Sequence, residues 1–139
     1  MGRGIHQLSL TLPAEARSVP LCRRALRLLL AELGIAGEPA AAIELVLSEA
    51  AGNVIRHAYE QPGESYRVEV EVSPAGVRLV VIDMGQGFDR TAIAAPSETA
   101  EDGRGLWLIE QLAAVATFQP AAGGGCHLEA HFPLTPSRP

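Results

Sequence analysis

Residues 45–57, the most informative stretch of the chain, read Leu-Val-Leu-Ser-Glu-Ala-Ala-Gly-Asn-Val-Ile-Arg-His. At about 100° of rotation per helical residue, Glu49, Asn53 and His57 fall on one narrow stripe. The opposite arc of the same helix is apolar and comprises Ile43, Leu47, Ala50, Ala51, Val54 and Ala58. The pattern therefore predicts a helix that packs on one side and presents a carboxylate, an amide and an imidazole on the other.

A second motif lies where a β-branched run ends, at residues 77–89, Val-Arg-Leu-Val-Val-Ile-Asp-Met-Gly-Gln-Gly-Phe-Asp. Gly85 and Gly87 follow Asp83 closely, and glycines at this spacing let the backbone turn sharply and approach a planar ligand. Asp83, at the end of a buried strand, is an acceptor-only carboxylate that suits an exocyclic amine. Taken alone, a glycine-rich strand end is also typical of an ordinary turn.

The third motif, at residues 102–109, reads Asp-Gly-Arg-Gly-Leu-Trp-Leu-Ile, and its glycines lead into an apolar helical pattern. Free N–H groups at a helix start bind anions, and phosphate is the obvious anion. We interpret Trp107 as a packing residue, because Leu106, Ile109 and Leu112 share the helical repeat. The candidate phosphate-binding residues are Gly103, Arg104, Gly105 and Leu106.

The bulk properties predict one domain over residues 1–139. A hydrophobic content of 47% in 139 residues is enough for a real core. The net charge is −5 and all eleven basic residues are arginine without a Lys/Arg cluster, which argues against direct nucleic-acid binding. Two cysteines form no disulfide framework, and no run is apolar and long enough to span a bilayer. We therefore expect a cytoplasmic protein without a membrane partner.

Periodicity and turn residues predict the order of the elements. The stretch 88–102 has little periodicity and is long for a connection inside a compact domain, which favours a functional loop over an idle insertion. Residues 133–139 are predicted to form a C-terminal tail. Strands are expected at 5–12, 66–72, 77–83, 116–119 and 126–132, and helices at 15–33, 39–59 and 104–115.

In this order the three motifs resemble the Bergerat ATP-binding fold, the shared domain of gyrase, a heat-shock chaperone, histidine kinases and a mismatch-repair protein. The pattern Ser48-Glu49-Ala50-x-x-Asn53-x-x-x-His57-Ala58-Tyr59 is similar to the helix of the bacterial anti-sigma-factor serine kinases. The resemblance spans essentially the whole chain. It implies a two-layer α+β sandwich, in which three helices cover one face of a mixed, mostly antiparallel sheet. It also implies that residues 88–102 form the ATP lid.

The resemblance implies ATP and Mg²⁺ as cofactors and gives the glycine motifs a role. Asp83 would accept a hydrogen bond from the adenine amino group, which selects adenine over guanine because guanine offers a carbonyl there. Gly85 and Gly87 would let the chain wrap the base and the ribose. The N–H groups of the 103–106 turn would hold the phosphates, with Arg104 adding charge.

The helix stripe carries the chemistry that the resemblance implies. Asn53 would present a neutral oxygen to Mg²⁺. Glu49, one turn earlier, would be the general base that accepts a proton from the serine of a partner protein. His57 matches the family pattern either as a nucleotide contact or as a packing histidine. The expected activity is that of a protein-serine kinase.

Two partners follow from the resemblance, a sigma factor and an anti-sigma antagonist whose serine is phosphorylated. An acidic chain is complementary to a basic sigma-factor surface. Strand 5–12 is expected at a sheet edge, which permits a homodimer by strand pairing. A histidine-kinase catalytic half is disfavoured, because residues 1–38 are too short for a dimerising helical hairpin.

Two departures from the family keep an alternative open. Similar kinases often carry threonine where Cys126 follows three glycines, and a thiol is a poor hydrogen-bond donor to phosphate. The stretch between Arg90 and Arg104 has no basic residue. The alternative function is a nucleotide-dependent protein-binding switch without significant kinase activity.

One further cluster of residues is a candidate metal site. His127, Glu129 and His131 alternate onto one strand face, which is compatible with zinc. Because only two imidazoles and no fourth ligand are evident, a solvated strand face is the favoured interpretation.

Overall fold

The computed structural model describes residues 4–58, 64–83, 107–120 and 126–134. The predicted lid at 88–102 and residues 135–139 of the predicted tail lie outside these ranges. In chain order the described elements are β1 (His6–Pro13), α1 (Ser18–Glu32), α2 (Gly37–Ala58), β2 (Ser65–Ser73), β3 (Gly76–Asp83), α3 (107–112), β4 (Val115–Pro120) and β5 (Cys126–Pro133).

The five strands form one sheet with the order β1-β2-β3-β5-β4. All four pairings between these described strands are antiparallel, so the parallel component of the expected mixed sheet is not found among them. Strand β1 lies at an edge, as predicted, and β3 lies in the centre. The α+β prediction is confirmed. Asp83 of the second motif is therefore the last residue of the central strand.

The alternation of β2 separates the two faces of the sheet. Tyr66 and the following valines at every second position are buried, whereas the charged residues between them are partly exposed. The strand register places these buried residues of β2 opposite buried residues of β3, so that Val68 pairs with Val81 and Val70 with Leu79. Helices α1 and α2 pack against each other and against this apolar face. Apolar strand positions thus hold both long helices on one side of the sheet.

The long helices differ slightly from their predicted bounds. Helix α1 begins at Ser18 rather than residue 15, because the backbone N–H and the hydroxyl of Ser18 both donate to the Glu15 carbonyl and form a turn there. Gly34 ends the helix in the left-handed region, with φ of +78°. Helix α2 begins at Gly37, two residues before the predicted Pro39. No helix in the described ranges is long and apolar enough to cross a membrane.

Two expectations about the third helix are wrong. The helix ends at residue 112 rather than 115, because the chain joins the sheet: the Ala114 N–H donates to the His131 carbonyl at 2.9 Å, and β4 begins at Val115. Trp107 is 56% exposed and is not a packing residue. Ile109 is buried, and a residue two positions earlier lies on the far side of a helix.

The outer face of the sheet carries an ion-pair network at the candidate zinc residues. The Arg78 Nε lies 2.6 Å from one Glu129 carboxylate oxygen, and the His131 Nε2 lies 2.9 Å from the same oxygen. The Arg78 hydrogen bonds lower the pKa of Glu129 to about 2. Among the described residues, no group of three His, Cys, Asp or Glu side chains could hold a metal ion. This strand face is an ion-paired surface.

Replacement of Gly76 by alanine is expected to destabilise the β2–β3 turn. The glycine has φ of +142°, and a Cβ there would lie 2.8 Å from the Pro133 Cα and closer still to the Phe132 carbonyl oxygen. We expect Gly76→Ala to lower the free energy of unfolding by roughly 2–4 kcal/mol, measured by urea unfolding. Gly52→Ala is the control, because it meets only the end of the Arg56 side chain at 3.5 Å. Gly52→Ala lies in a helix and should be neutral or stabilising. An equal loss of unfolding free energy in both variants would contradict a special conformational role of Gly76.

The Glu129 network predicts a specific dependence of stability on pH. A carboxylate whose pKa is lowered by folding stabilises the protein above its unfolded pKa, so this contribution is lost as pH falls from about 4.5 to about 2. Because the group is partly exposed, we expect only ~1 kcal/mol at neutral pH. In urea unfolding at pH 7, the free energy of unfolding of the wild type should exceed that of Glu129→Gln by this amount. The difference between the two free energies should vanish near pH 2. A difference independent of pH would contradict the pairing.

Candidate functional site

Helix α2 has the two faces that its sequence predicts. Its buried arc contributes Ile43, Leu47, Ala50, Ala51 and Val54 to the core. Glu49 and Asn53 lie on the flank of the same helix and are half-buried. His57 is also in α2, but its side chain lies outside the described part of the structure. The helix therefore presents a carboxylate and an amide, one turn apart, at the margin of the core.

Asp83 is the last residue of the central strand and is 3% exposed. It shares the helix-facing side of the sheet with Val81 and pairs with Tyr66 on β2. Asp83 and Ser18 are the two polar residues that are buried among the described core residues. Burial of a carboxylate is costly unless polar groups satisfy it, so this strand end differs from the apolar core beside it.

The core brings α2 onto the strand that ends at Asp83. Helix α2 contacts β3, and Ala50, Ala51 and Val54 belong to the same buried cluster as Val81, two residues before Asp83. The small alanine side chains let the helix approach the sheet closely. The helix that carries the first predicted motif therefore packs on the strand that carries Asp83 of the second. The remaining predicted site residues, Gly85, Gly87, Gly103, Arg104, Gly105 and Leu106, lie outside the described ranges.

A basic residue that sequence reasoning missed adjoins Asn53. The Arg56 guanidinium donates from Nη2 to the Asn53 Oδ1, the oxygen predicted to bind Mg²⁺. The two residues are three positions apart, and the i, i+3 spacing on a helix could have revealed the contact. A guanidinium and a metal ion would compete for the electron pairs of this one oxygen, so a metal on Asn53 would have to compete with the Arg56 hydrogen bond.

A buried pair beside Asp83 was also missed. The Tyr66 hydroxyl lies 2.6 Å from the Ser18 hydroxyl at the start of α1, and both residues are almost fully buried. Burial raises the pKa of Tyr66 to about 12, and burial also raises the pKa of the neighbouring Cys22 thiol. Both side chains are therefore neutral at physiological pH. No local pattern indicates a contact between residues 48 positions apart.

The described groups have distinct chemical capacities. Asp83 can accept a hydrogen bond from a buried amine, and Asn53 can offer a neutral oxygen to a hard cation. Glu49 is half-buried, so its carboxylate is accessible from solvent and could accept a proton. This combination suits a ligand that has an amino group at one end and metal-bound anionic groups at the other.

Comparisons with known proteins agree with this geometry. The family model of the histidine kinase-like ATPase domain matches residues 12–128. The chain is 32% identical over 118 residues to the serine-protein kinase RsbW of Listeria innocua, covering 76% of this chain and 74% of that relative. It is 27% identical over 128 residues to RsbW of Staphylococcus epidermidis, covering 84% and 80%.

Solved structures share the architecture. The crystal structure of the RsbU and RsbW domains of Rv1364c from Mycobacterium tuberculosis aligns with a TM-score of 0.67 and 26% identity, covering 96% of this chain and 33% of that chain. The SiaB–SiaC complex from Pseudomonas aeruginosa aligns with a TM-score of 0.66 at 16% identity, covering 90% and 88%, and shows the fold alone. With the matched family model and the RsbW relatives, the chain belongs to the histidine kinase-like ATPase domain family, in its branch of anti-sigma serine-protein kinases.

Proposed function

We propose that this protein binds ATP with Mg²⁺ and transfers the γ-phosphate to a serine of an anti-sigma antagonist. The observation that carries the proposal is the buried Asp83 at the end of the central strand, a strand that packs against the helix bearing Glu49 and Asn53. The RsbW relatives are named serine-protein kinases, which supports the same reaction class. We propose that residues 1–139 act as one cytoplasmic domain.

Adenine recognition is assigned to Asp83. Its carboxylate accepts from the adenine amino group, and its burial strengthens discrimination because guanine would place a carbonyl oxygen against it. Gly85 and Gly87 line the base and ribose in this proposal. The turn at 103–106 holds the phosphates, and residues 88–102 form the lid over them.

Metal binding and proton transfer are assigned to α2. Asn53 would hold Mg²⁺ through its Oδ1, the oxygen to which the Arg56 guanidinium donates in this structure. Arg56 would add positive charge near the phosphates. Glu49 accepts the proton of the attacking serine, one helical turn from the metal ligand. His57 is assigned to the nucleotide side of the helix.

The proposed partners are proteins. The RsbW relatives are named serine-protein kinases, which supports a protein substrate for this chain. We propose an anti-sigma antagonist as the phosphate acceptor and a sigma factor as the sequestered partner. Strand β1 lies at a sheet edge and could pair with a second copy in a homodimer.

A second function has one observation in its favour. The oxygen proposed for Mg²⁺ is engaged by Arg56, so metal binding must compete with an existing hydrogen bond. A protein that binds nucleotide but transfers phosphate poorly would act as a nucleotide-dependent switch that only sequesters its partner. The phosphotransfer measurement described below separates the two functions.

Replacement of Asp83 by asparagine tests adenine recognition. Asp83→Asn keeps the size of the side chain but presents an amide where an acceptor is needed, at a cost of about 1–3 kcal/mol. We expect roughly 5- to 150-fold weaker binding of Mg·ATP, and unchanged or tighter binding of Mg·GTP because the amide N–H can donate to the guanine carbonyl, by calorimetry. Glu69→Gln, the same chemical change on the partly exposed outer face of β2, is the control and should leave both affinities unchanged. Equal affinity of the wild type for ATP and GTP would contradict the assignment.

Replacement of Glu49 by alanine tests proton transfer. We expect Glu49→Ala to leave the affinity for Mg·ATP nearly unchanged and to slow phosphate transfer about 10²- to 10⁴-fold. Asn53→Ala should weaken metal-dependent nucleotide binding as well. The measurement is transfer from labelled ATP to the antagonist captured from source cells, with the exposed Glu38→Ala in α2 as the control. If the wild type transfers no phosphate to that antagonist, the kinase function is excluded and the nucleotide-dependent switch is the remaining proposal.

A further inference from the structure

We propose that Tyr66, held by Ser18 at the start of α1, is a positioning residue that fixes the wall of the base pocket beside Asp83 and sets the selectivity for adenine over guanine. The inference rests on the proposed nucleotide function. It concerns a residue of β2 that belongs to none of the three motifs.

The register places Tyr66 directly opposite Asp83. The two residues are paired Cα to Cα across β2 and β3, and both are buried on the helix-facing side of the sheet. Directly opposite side chains in an antiparallel pair have Cβ atoms roughly 4.5–5.5 Å apart. The tyrosine ring therefore rises beside the carboxylate and continues to α1, where it reaches Ser18. It forms a wall between the strand end and the first helix.

The direction of the hydrogen bonds in this wall is fixed. The Ser18 hydroxyl has one hydrogen, and it donates that hydrogen to the Glu15 carbonyl at 2.8 Å, since a carbonyl can only accept. In the 2.6 Å contact the donor must then be Tyr66. The chain runs from the Tyr66 hydroxyl to the Ser18 hydroxyl and on to the Glu15 carbonyl. Because each donor in this series of hydrogen bonds has one acceptor, the series holds the tyrosine ring at one position along α1.

The bond persists over the physiological pH range. Burial raises the pKa of Tyr66 to about 12, so the phenol keeps its proton and remains a donor. Apart from the contacts of the Tyr66 hydroxyl with Ser18 and with the Cys22 thiol, α1 meets the core through apolar groups such as Leu26 and Leu30. Apolar packing tolerates small sliding of a helix, whereas a directional hydrogen bond does not. The Tyr66–Ser18 bond therefore locates the start of α1 relative to the strand that ends at Asp83.

Selectivity for adenine depends on this positioning. A hydrogen bond from the adenine amine needs the Asp83 carboxylate and the pocket wall held to within about 0.5 Å. Without the tyrosine hydroxyl, the ring remains buried but its position along α1 is no longer fixed. The bond from adenine to Asp83 then weakens, while guanine, which gains nothing from Asp83, is unaffected. The change should appear as a lower ratio of ATP to GTP affinity.

The test measures dissociation constants for Mg·ATP and Mg·GTP on wild type and Tyr66→Phe by calorimetry. We expect ATP binding to weaken roughly 3- to 10-fold, the range of one impaired hydrogen bond, and GTP binding to change less than about twofold. Val72→Ala is the matched control, because Val72 is buried on the same face of β2, at its opposite end. Val72→Ala should lower the melting temperature about as much as Tyr66→Phe does, by about 3–6 °C, without changing the ratio of ATP to GTP affinity.

A second variant keeps the test decisive. Ser18→Ala removes the acceptor and should reproduce the selectivity loss, and the double variant should lose no more than Tyr66→Phe alone. If Tyr66→Phe does not fold, Ser18→Ala is measured in its place. A wild type without preference for ATP would overturn the proposed function and this inference with it. A wild type that prefers ATP, with the same ratio in Tyr66→Phe or an equal loss in Val72→Ala, would overturn this inference alone.

Discussion

The packing of α2 against β3 is the contact on which the rest of the structure depends. Ala50 and Ala51 are buried in the core cluster that α2 shares with the sheet, and small side chains permit close packing there. A larger residue at either alanine would strain this packing. Helix α2 bears Glu49 and Asn53, and β3 ends at Asp83. The packing of α2 on β3 therefore joins the two elements that carry the proposed metal ligand and the proposed base acceptor.

Around this contact, the polar groups of the described site form two pairs that hold functional residues in place. Arg56 holds the Asn53 amide oxygen, and Ser18 holds the Tyr66 ring that stands beside Asp83. The first pair is exposed and joins neighbours on one helix, so a metal can displace it. The second pair is buried and joins two layers of the fold, so it acts as a fixed support. The site thus combines one exchangeable polar contact with one permanent contact.

The sequence predicted those features that depend on local periodicity. The apolar arc of α2 and the alternation of β2 each repeat over several turns or residue pairs, so their burial followed directly from the pattern. The end of α3 could not be predicted in this way, because the pairing of Val115 with His131 decides it. The contact between Ser18 and Tyr66 joins distant parts of the chain. Long-range pairs of this kind carry no periodic signal.

The most direct test of the account is a crystal structure of the chain with Mg²⁺ and a non-hydrolysable ATP analogue. We expect the adenine amino group to lie within about 3.2 Å of an Asp83 carboxylate oxygen. We also expect the metal to lie on the Asn53 oxygen, with Arg56 moved away from it. An adenine ring bound away from the end of β3, or a metal held without Asn53, would contradict it.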